Sequence, residues 1–162
     1  MILVTLGTQD KKFYRLLDMI QEAIDTGKIK DRVIVQAGRS SDYKSNDMEI
    51  FNLVSMDKFK KLVRECDILI THGGVGSIIT GLKENKKIIA MPRLKKYKEH
   101  TNNHQAQIVD NFVRDGYILR ISDGEDLTKT LNIISNFIPK KYKSNSSKFI
   151  KMVDVEIKKY LK

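Results

Sequence analysis

Short apolar runs recur along this chain with amphipathic stretches between them, and that alternation narrows the fold more than any single motif. The runs are "ILVTLG" (2–7), "RVIVQAG" (32–38), "DILITHGG" (67–74), "KKIIAMP" (86–92) and "YILRI" (117–121), with a weaker "EIFNLV" (49–54) after the second. Helical period fills the gaps: within 11–25, Phe13, Leu16, Leu17, Ile20 and Ile24 share one stripe. The segments 56–66, 76–85 and 102–116 read the same way. Continuously apolar strands need cover on both faces, and interleaved helices supply it through right-handed crossovers. The expectation is α/β: a single doubly wound domain over 1–162 with a roughly six-stranded parallel sheet.

A chain of 162 residues can bury a core of its own. Its one cysteine, Cys66, excludes an intramolecular disulfide framework, and no apolar run reaches the roughly 18–20 residues of a membrane span. The start "MILVTLGTQD" lacks the basic flank of a signal peptide, so a cytoplasmic location is expected. Net charge is +10, and 139–162 alone holds eight lysines against Asp154 and Glu156. That end predicts a basic amphipathic helix near 144–161, with Phe149, Ile150, Val153, Ile157, Tyr160 and Leu161 on one face. The lysines at 95, 96, 98, 140, 141 and 143 have only the isolated Tyr97 and Tyr142 near them. Without interleaved aromatics, a nucleic-acid partner is not expected.

Ligands of doubly wound sheets bind beyond the carboxyl ends of the strands, which singles out "GTQD", "HGGVGS" and "PRLKKYKEHTNNHQ". Gly73, Gly74 and Gly76 permit close backbone approach, and Ser77 is expected to open a helix whose free N–H groups favour an anion. The turn suits a diphosphate, although no Lys-Ser/Thr pair makes it a P-loop. A plain strand-to-helix corner remains the other reading. Gly7-Thr8-Gln9 is a second glycine turn at the same end of the sheet, and two such turns can clamp one phosphate group. His72, His100 and His104 fall in or beside these loops as donors to a sugar or phosphate. No metal is expected, because "THGG" brings no carboxylate or thiol and Thr101 as an N-cap leaves His100 outside the next helix.

Taken together, "VTLGTQ", "VIVQAG", "CDILITHGGVGSI", "KKIIAMPR" and "YKEHTNNHQ" resemble, in order, the C-terminal half of glycosyltransferase family 28, the MurG-like GT-B enzymes. The likeness is strongest to the stand-alone version of that half. This group holds PssE-type polysaccharide-biosynthesis proteins and the catalytic subunit of the dolichol-linked N-acetylglucosaminyltransferase. The resemblance implies a Rossmann-like fold and a UDP-sugar donor, which is a substrate, so no cofactor is expected. It places Gly7, Thr8, Gln9, Gly73, Gly74, Gly76 and Ser77 on the diphosphate. Val54, Ser55 and Met56 would hold the base through backbone groups, and Asn102, His104 and Gln105 would read the sugar hydroxyls. Relatives usually carry a ribose-binding glutamate where this chain has Thr80; Glu84, a helical turn further on, is the alternative.

A GT-B site needs two halves. The resemblance therefore implies a membrane-anchored partner that binds a lipid-diphosphate-linked saccharide, with this chain peripheral at the inner membrane face. On this reading a hexose is transferred from UDP in capsule, exopolysaccharide or related glycan synthesis. His72 and helix-end N–H groups would stabilise the departing UDP, and Glu99 or His104 is the local candidate for general base. The alternative is a non-catalytic sugar-nucleotide-binding partner that activates another transferase.

Overall fold

The computed structural model describes residues 1–143, and the expected helix near 144–161 lies outside the described residues. Among the described residues, six strands form one sheet: β1 (Ile2–Thr5), β2 (Val33–Gln36), β3 (Met48–Phe51), β4 (Ile68–Thr71), β5 (Lys87–Ala90) and β6 (Leu119–Arg120). Their order is β3-β2-β1-β4-β5-β6 and every pairing is parallel. The helices are α1 (Tyr14–Asp25), α2 (Met56–Glu65), α3 (Val75–Lys83), α4 (His104–Arg114) and α5 (Leu127–Ile134). The doubly wound expectation holds, and the strand order reverses between β1 and β4, the switch point where such sheets open a crevice.

Alternate residues of each strand feed opposite faces, as the pleat demands. Ile2, Val4, Val35, Ile70 and Ile89 pack with Leu16, Leu17 and Ile20 of α1 and Leu127 and Ile134 of α5. Leu3, Ile34, Leu69 and Ile88 pack with Leu62 and Val63 of α2, Ile78 and Leu82 of α3 and Val109 of α4. Two cores thus sandwich the sheet and fix its carboxyl edge in place.

Helix starts differ from the pattern-based expectation for local reasons. α1 begins at Tyr14 rather than Lys11, because the Phe13 N–H donates to Ser40 Oγ at 2.8 Å and the Lys11 carbonyl accepts from Arg93 at 2.8 Å. α3 begins at Val75 with Gly74 as its N-cap, ahead of Ser77. α4 is capped at Asn103, not Thr101, and Asn102 Oδ1 accepts from the His104 N–H at 3.1 Å. His100 does stay outside that helix. The two tyrosines read as isolated have partners: Tyr142 meets Tyr117 edge-on with centroids 5.7 Å apart, and Tyr97 lies under Arg15 at 4.5 Å.

Candidate functional site

Thr5 and Thr71 are register partners at the ends of β1 and β4, so the turns that follow leave the sheet side by side. His72 stands between them. Its backbone N–H donates to the Thr5 carbonyl at 3.1 Å, and its Nδ1 lies 3.1 Å from the same oxygen. A Cβ on Gly7 would come within 2.5 Å of His72 Nε2, and one on Gly74 within 2.4 Å. No side chain tolerates those distances. Glycine at both places is therefore the condition for two turns to close over one imidazole, and Gly7 also needs its φ of +75°.

Burial is the main force on this ring, pushing the His72 pKa from 6.5 down to about 4, with Arg93 and His100 adding to it and the Thr5 hydrogen bond opposing. Near neutral pH the imidazole is uncharged, its proton sits on Nδ1, and Nε2 is an acceptor. That corrects the expectation that His72 donates to a departing phosphate. Its position instead sets the spacing of the two turns.

The first turn of α3 holds no acidic residue, and Gly74 offers no side-chain cap. Its free N–H groups and the positive end of the helix dipole therefore face outward unpaired by side chains, an arrangement suited to an anion. Beside it is a cavity of about 260 Å³, lined by Thr5, Gly7, Thr8, Gln36, Leu53, Val54, Met56, Phe59, Gly76, Ser77 and Thr80. Both glycine turns and the loop before α2 meet there. Among the described residues, no charged side chain lines it.

Of the residues expected from sequence, Gly7, Thr8, Val54, Met56, Gly76, Ser77 and Thr80 converge on this cavity. Gly73 and Gly74 stand next to it through His72 and α4, where a Gly73 Cβ would press Val109 Cγ2 at 2.8 Å. Gln9 is not among the lining residues, and the Ser55 hydroxyl accepts from the Lys58 N–H as the N-cap of α2. Asn102, His104 and Gln105 lie outside the cavity lining. Gln105 Oε1 accepts from the Arg93 N–H at 3.2 Å, and His104 Nδ1 stands 3.1 Å from Gln107 Oε1. His104 is exposed at the start of α4.

Glu99 is a correction. It is 5% exposed, its two oxygens accept from Arg15 at 2.9 and 2.7 Å, and one also accepts from the Leu94 N–H at 3.0 Å. With three of its roughly four acceptor sites taken and its side chain buried, this carboxylate orders the loop after β5 rather than serving as a base.

Two residues that hold the site together stood within the quoted motifs but were given no role there. Gln36 accepts from the Thr5 hydroxyl at 2.7 Å and donates to the carbonyls of Gly7 and Asn52 at 3.1 and 3.2 Å. It ties the first turn to the loop that leads into α2. Arg93 is 1% exposed; it donates to Leu6 O and Lys11 O at 2.8 Å, to Lys12 O at 3.3 Å and to Glu99 O at 3.4 Å. Burial lowers its pKa to about 10, still charged at neutral pH. The sequence signals were a polar residue ending an apolar run and an arginine directly after a strand-stopping proline.

Residues 1–160 match the glycosyltransferase family 28 C-terminal domain. The chain is similar to the UDP-N-acetylglucosamine transferase subunit ALG13 of Candida glabrata, 34% identical over 80 residues that make up 48% of this chain and 37% of that protein. The subunit of the same name from Cryptococcus neoformans is 31% identical over 91 residues, 55% of this chain and 43% of that one. The matches thus span less than half the length of these relatives. Among solved structures, the solution structure of ALG13 aligns over 93% of both chains with a TM-score of 0.58 and 21% identity. The UDP-GlcNAc 2-epimerase of Methanocaldococcus jannaschii aligns over 96% of this chain and 45% of that one, with a TM-score of 0.62 and 14% identity. At those identities the structural likeness is one of fold. The family match runs through nearly the whole sequence, and the chain belongs to the glycosyltransferase family 28 C-terminal domain family.

Proposed function

We propose that this chain is the donor-binding subunit of a glycosyltransferase that moves a hexose or N-acetylhexosamine from a UDP-sugar to a lipid-diphosphate-linked saccharide. The setting proposed is capsule, exopolysaccharide or a related glycan, at the cytoplasmic membrane face. The observation that carries this is the pair of glycine turns sharing His72 beside the uncharged cavity. The diphosphate lies against the first turn of α3 and the Gly7–Thr8 turn, with the Ser77 and Thr8 hydroxyls as added donors. The base and ribose fill the cavity, with Val54 and Met56 at its rim. As the bond to the anomeric carbon breaks, negative charge grows on the departing UDP, and the helix-end N–H groups meet it without reorganising. The sugar projects toward Gln105, Asn102 and His104. His104 is the remaining local candidate for general base, and the acceptor side comes from a membrane-anchored partner subunit.

A non-catalytic role, binding a sugar nucleotide to regulate another transferase, is favoured by one observation: Glu99 is committed to Arg15. One assay separates the readings. Membranes holding the partner and the lipid-linked acceptor are supplied with labelled UDP-N-acetylglucosamine, UDP-glucose or UDP-galactose and this chain. Label entering the lipid fraction only with the chain present, and lost with Gly76→Asp, whose side chain enters the cavity at a position where a Cβ meets nothing within 4 Å, supports catalysis. Transfer that persists with Gly76→Asp removes the catalytic role.

A further inference from the structure

Among the described residues, nothing that lines the cavity is negatively charged. Proteins that read a ribose commonly do so with an Asp or Glu that accepts from the 2′-hydroxyl. The polar groups present have committed their protons elsewhere, which leaves neutral hydroxyl acceptors in place of a carboxylate. The Thr80 hydroxyl donates to the Gly76 carbonyl at 2.7 Å, one turn back on its own helix. Thr5 is spent on Gln36 at 2.7 Å, and the Gln36 amide nitrogen is spent on Gly7 O and Asn52 O. Two side-chain hydroxyls remain, those of Thr8 and Ser77. Both sit at the phosphate end, one in the turn after β1 and the other in the first turn of α3. The other side chains of the lining are apolar. Glu84 caps the far end of α3 and does not line the cavity.

We infer that the site holds a nucleoside diphosphate without reading its 2′-hydroxyl, so that a 2′-deoxyribonucleotide binds about as well as the ribonucleotide, and that residue 80 decides this. The inference rests on the nucleotide reading proposed above. Ribose selection is lacking because, among the described residues, the one side chain on the cavity side of α3 beyond the phosphate turn is a short hydroxyl that donates to its own backbone and offers a neutral acceptor where a carboxylate would offer a charged one. Affinity comes instead from the diphosphate and from the apolar contact made by the base. A carboxylate at position 80 would add an acceptor that only the ribonucleotide can use. A hydrogen bond to a charged group is worth roughly ten- to a hundredfold in affinity.

The test titrates the full chain, labelled with nitrogen-15, with UDP and with 2′-deoxy-UDP, and follows the amides of Gly73–Ser77. Dissociation constants within about threefold of each other are expected. In Thr80→Glu, UDP gains a preference of about tenfold or more over 2′-deoxy-UDP. A tenfold preference for UDP in the unaltered chain overturns the inference while leaving nucleotide binding intact. If Thr80→Glu keeps the original ratio, residue 80 is not at the ribose and its assignment fails. If neither nucleotide moves those amides at millimolar concentration, the nucleotide reading falls and this inference with it.

Discussion

His72 Nδ1 lies 3.1 Å from the carbonyl oxygen of Thr5, the last residue of the strand beside its own. A carbonyl only accepts, so the bond fixes the proton on Nδ1 and leaves Nε2 bare between Gly7 and Gly74. The ring is a neutral spacer between two turns. Protonating it would bury a charge against Arg93 and against the ends of two closely packed loops.

That neutrality has a pH signature. The unfolded chain takes up a proton on His72 near 6.5, whereas the folded chain resists until about 4. The stabilisation is therefore complete above 6.5 and is lost as pH falls from 6.5 toward 4, by about 3 kcal/mol in all. Urea midpoints measured at steps across that window should fall in the unaltered chain and fall less in His72→Asn, whose amide can still donate to Thr5. Equal slopes in the two proteins would mean that His72 is not buried in its neutral form.

Arg93 supports a second prediction. Its guanidinium reaches the carbonyls of Leu6, Lys11, Lys12 and Glu99, holding the loop after β1 to the loop after β5. A lysine has the charge but not the fork, so it leaves buried carbonyls without donors. Arg93→Lys should lower unfolding stability by about 2–3 kcal/mol. The check is a urea titration, and a loss under about 0.5 kcal/mol, the level of an ordinary surface substitution, would show that the clamp is not formed.

The sheet was legible because its four central strands, β1, β2, β4 and β5, are buried on both faces and so read as apolar runs, while α1, α2 and α3 carry their stripe at helical spacing. What local pattern cannot show is capture of backbone from afar. Phe13 continues the stripe of α1 and the expected helix began at Lys11, yet Arg93 and Ser40 hold residues 11–13 out of the helix. The same blindness misplaced Glu99, whose partner Arg15 is 84 residues away. The glycines of the site were legible as glycines. The reason for Gly7 and Gly74, an imidazole shared by two turns, appears only when β1 and β4 are neighbours.

Cys66 offers a probe of global opening. It is 1% exposed, and burial pushes its thiol up to about 11. Both effects suppress the thiolate that alkylating and disulfide reagents need. At pH 8 the native chain should react more slowly than the urea-unfolded chain by roughly three orders of magnitude or more, because access requires opening against roughly 5 kcal/mol at least. Rates within tenfold of each other would mean that the segment between α2 and β4 opens locally.

Gly76 separates what the turn needs for folding from what it needs for a ligand. A Cβ at Gly7 or Gly74 collides with His72, but a Cβ at Gly76 meets nothing within 4 Å. Gly76 lies inside α3, where alanine is preferred to glycine by up to about 1 kcal/mol, and it also lines the cavity. Gly76→Ala should therefore leave the fold intact and raise its stability slightly, while the new methyl stands where a bound diphosphate approaches the helix end. Nucleotide affinity should fall tenfold or more even as the urea midpoint rises. Gly74→Ala, by contrast, should lose stability and binding together, because its methyl strikes the imidazole at 2.4 Å. Measured side by side, the two alanines distinguish a glycine kept for a ligand from one kept for the turn. If Gly76→Ala binds UDP as tightly as the unaltered chain, the diphosphate does not lie against the first turn of α3.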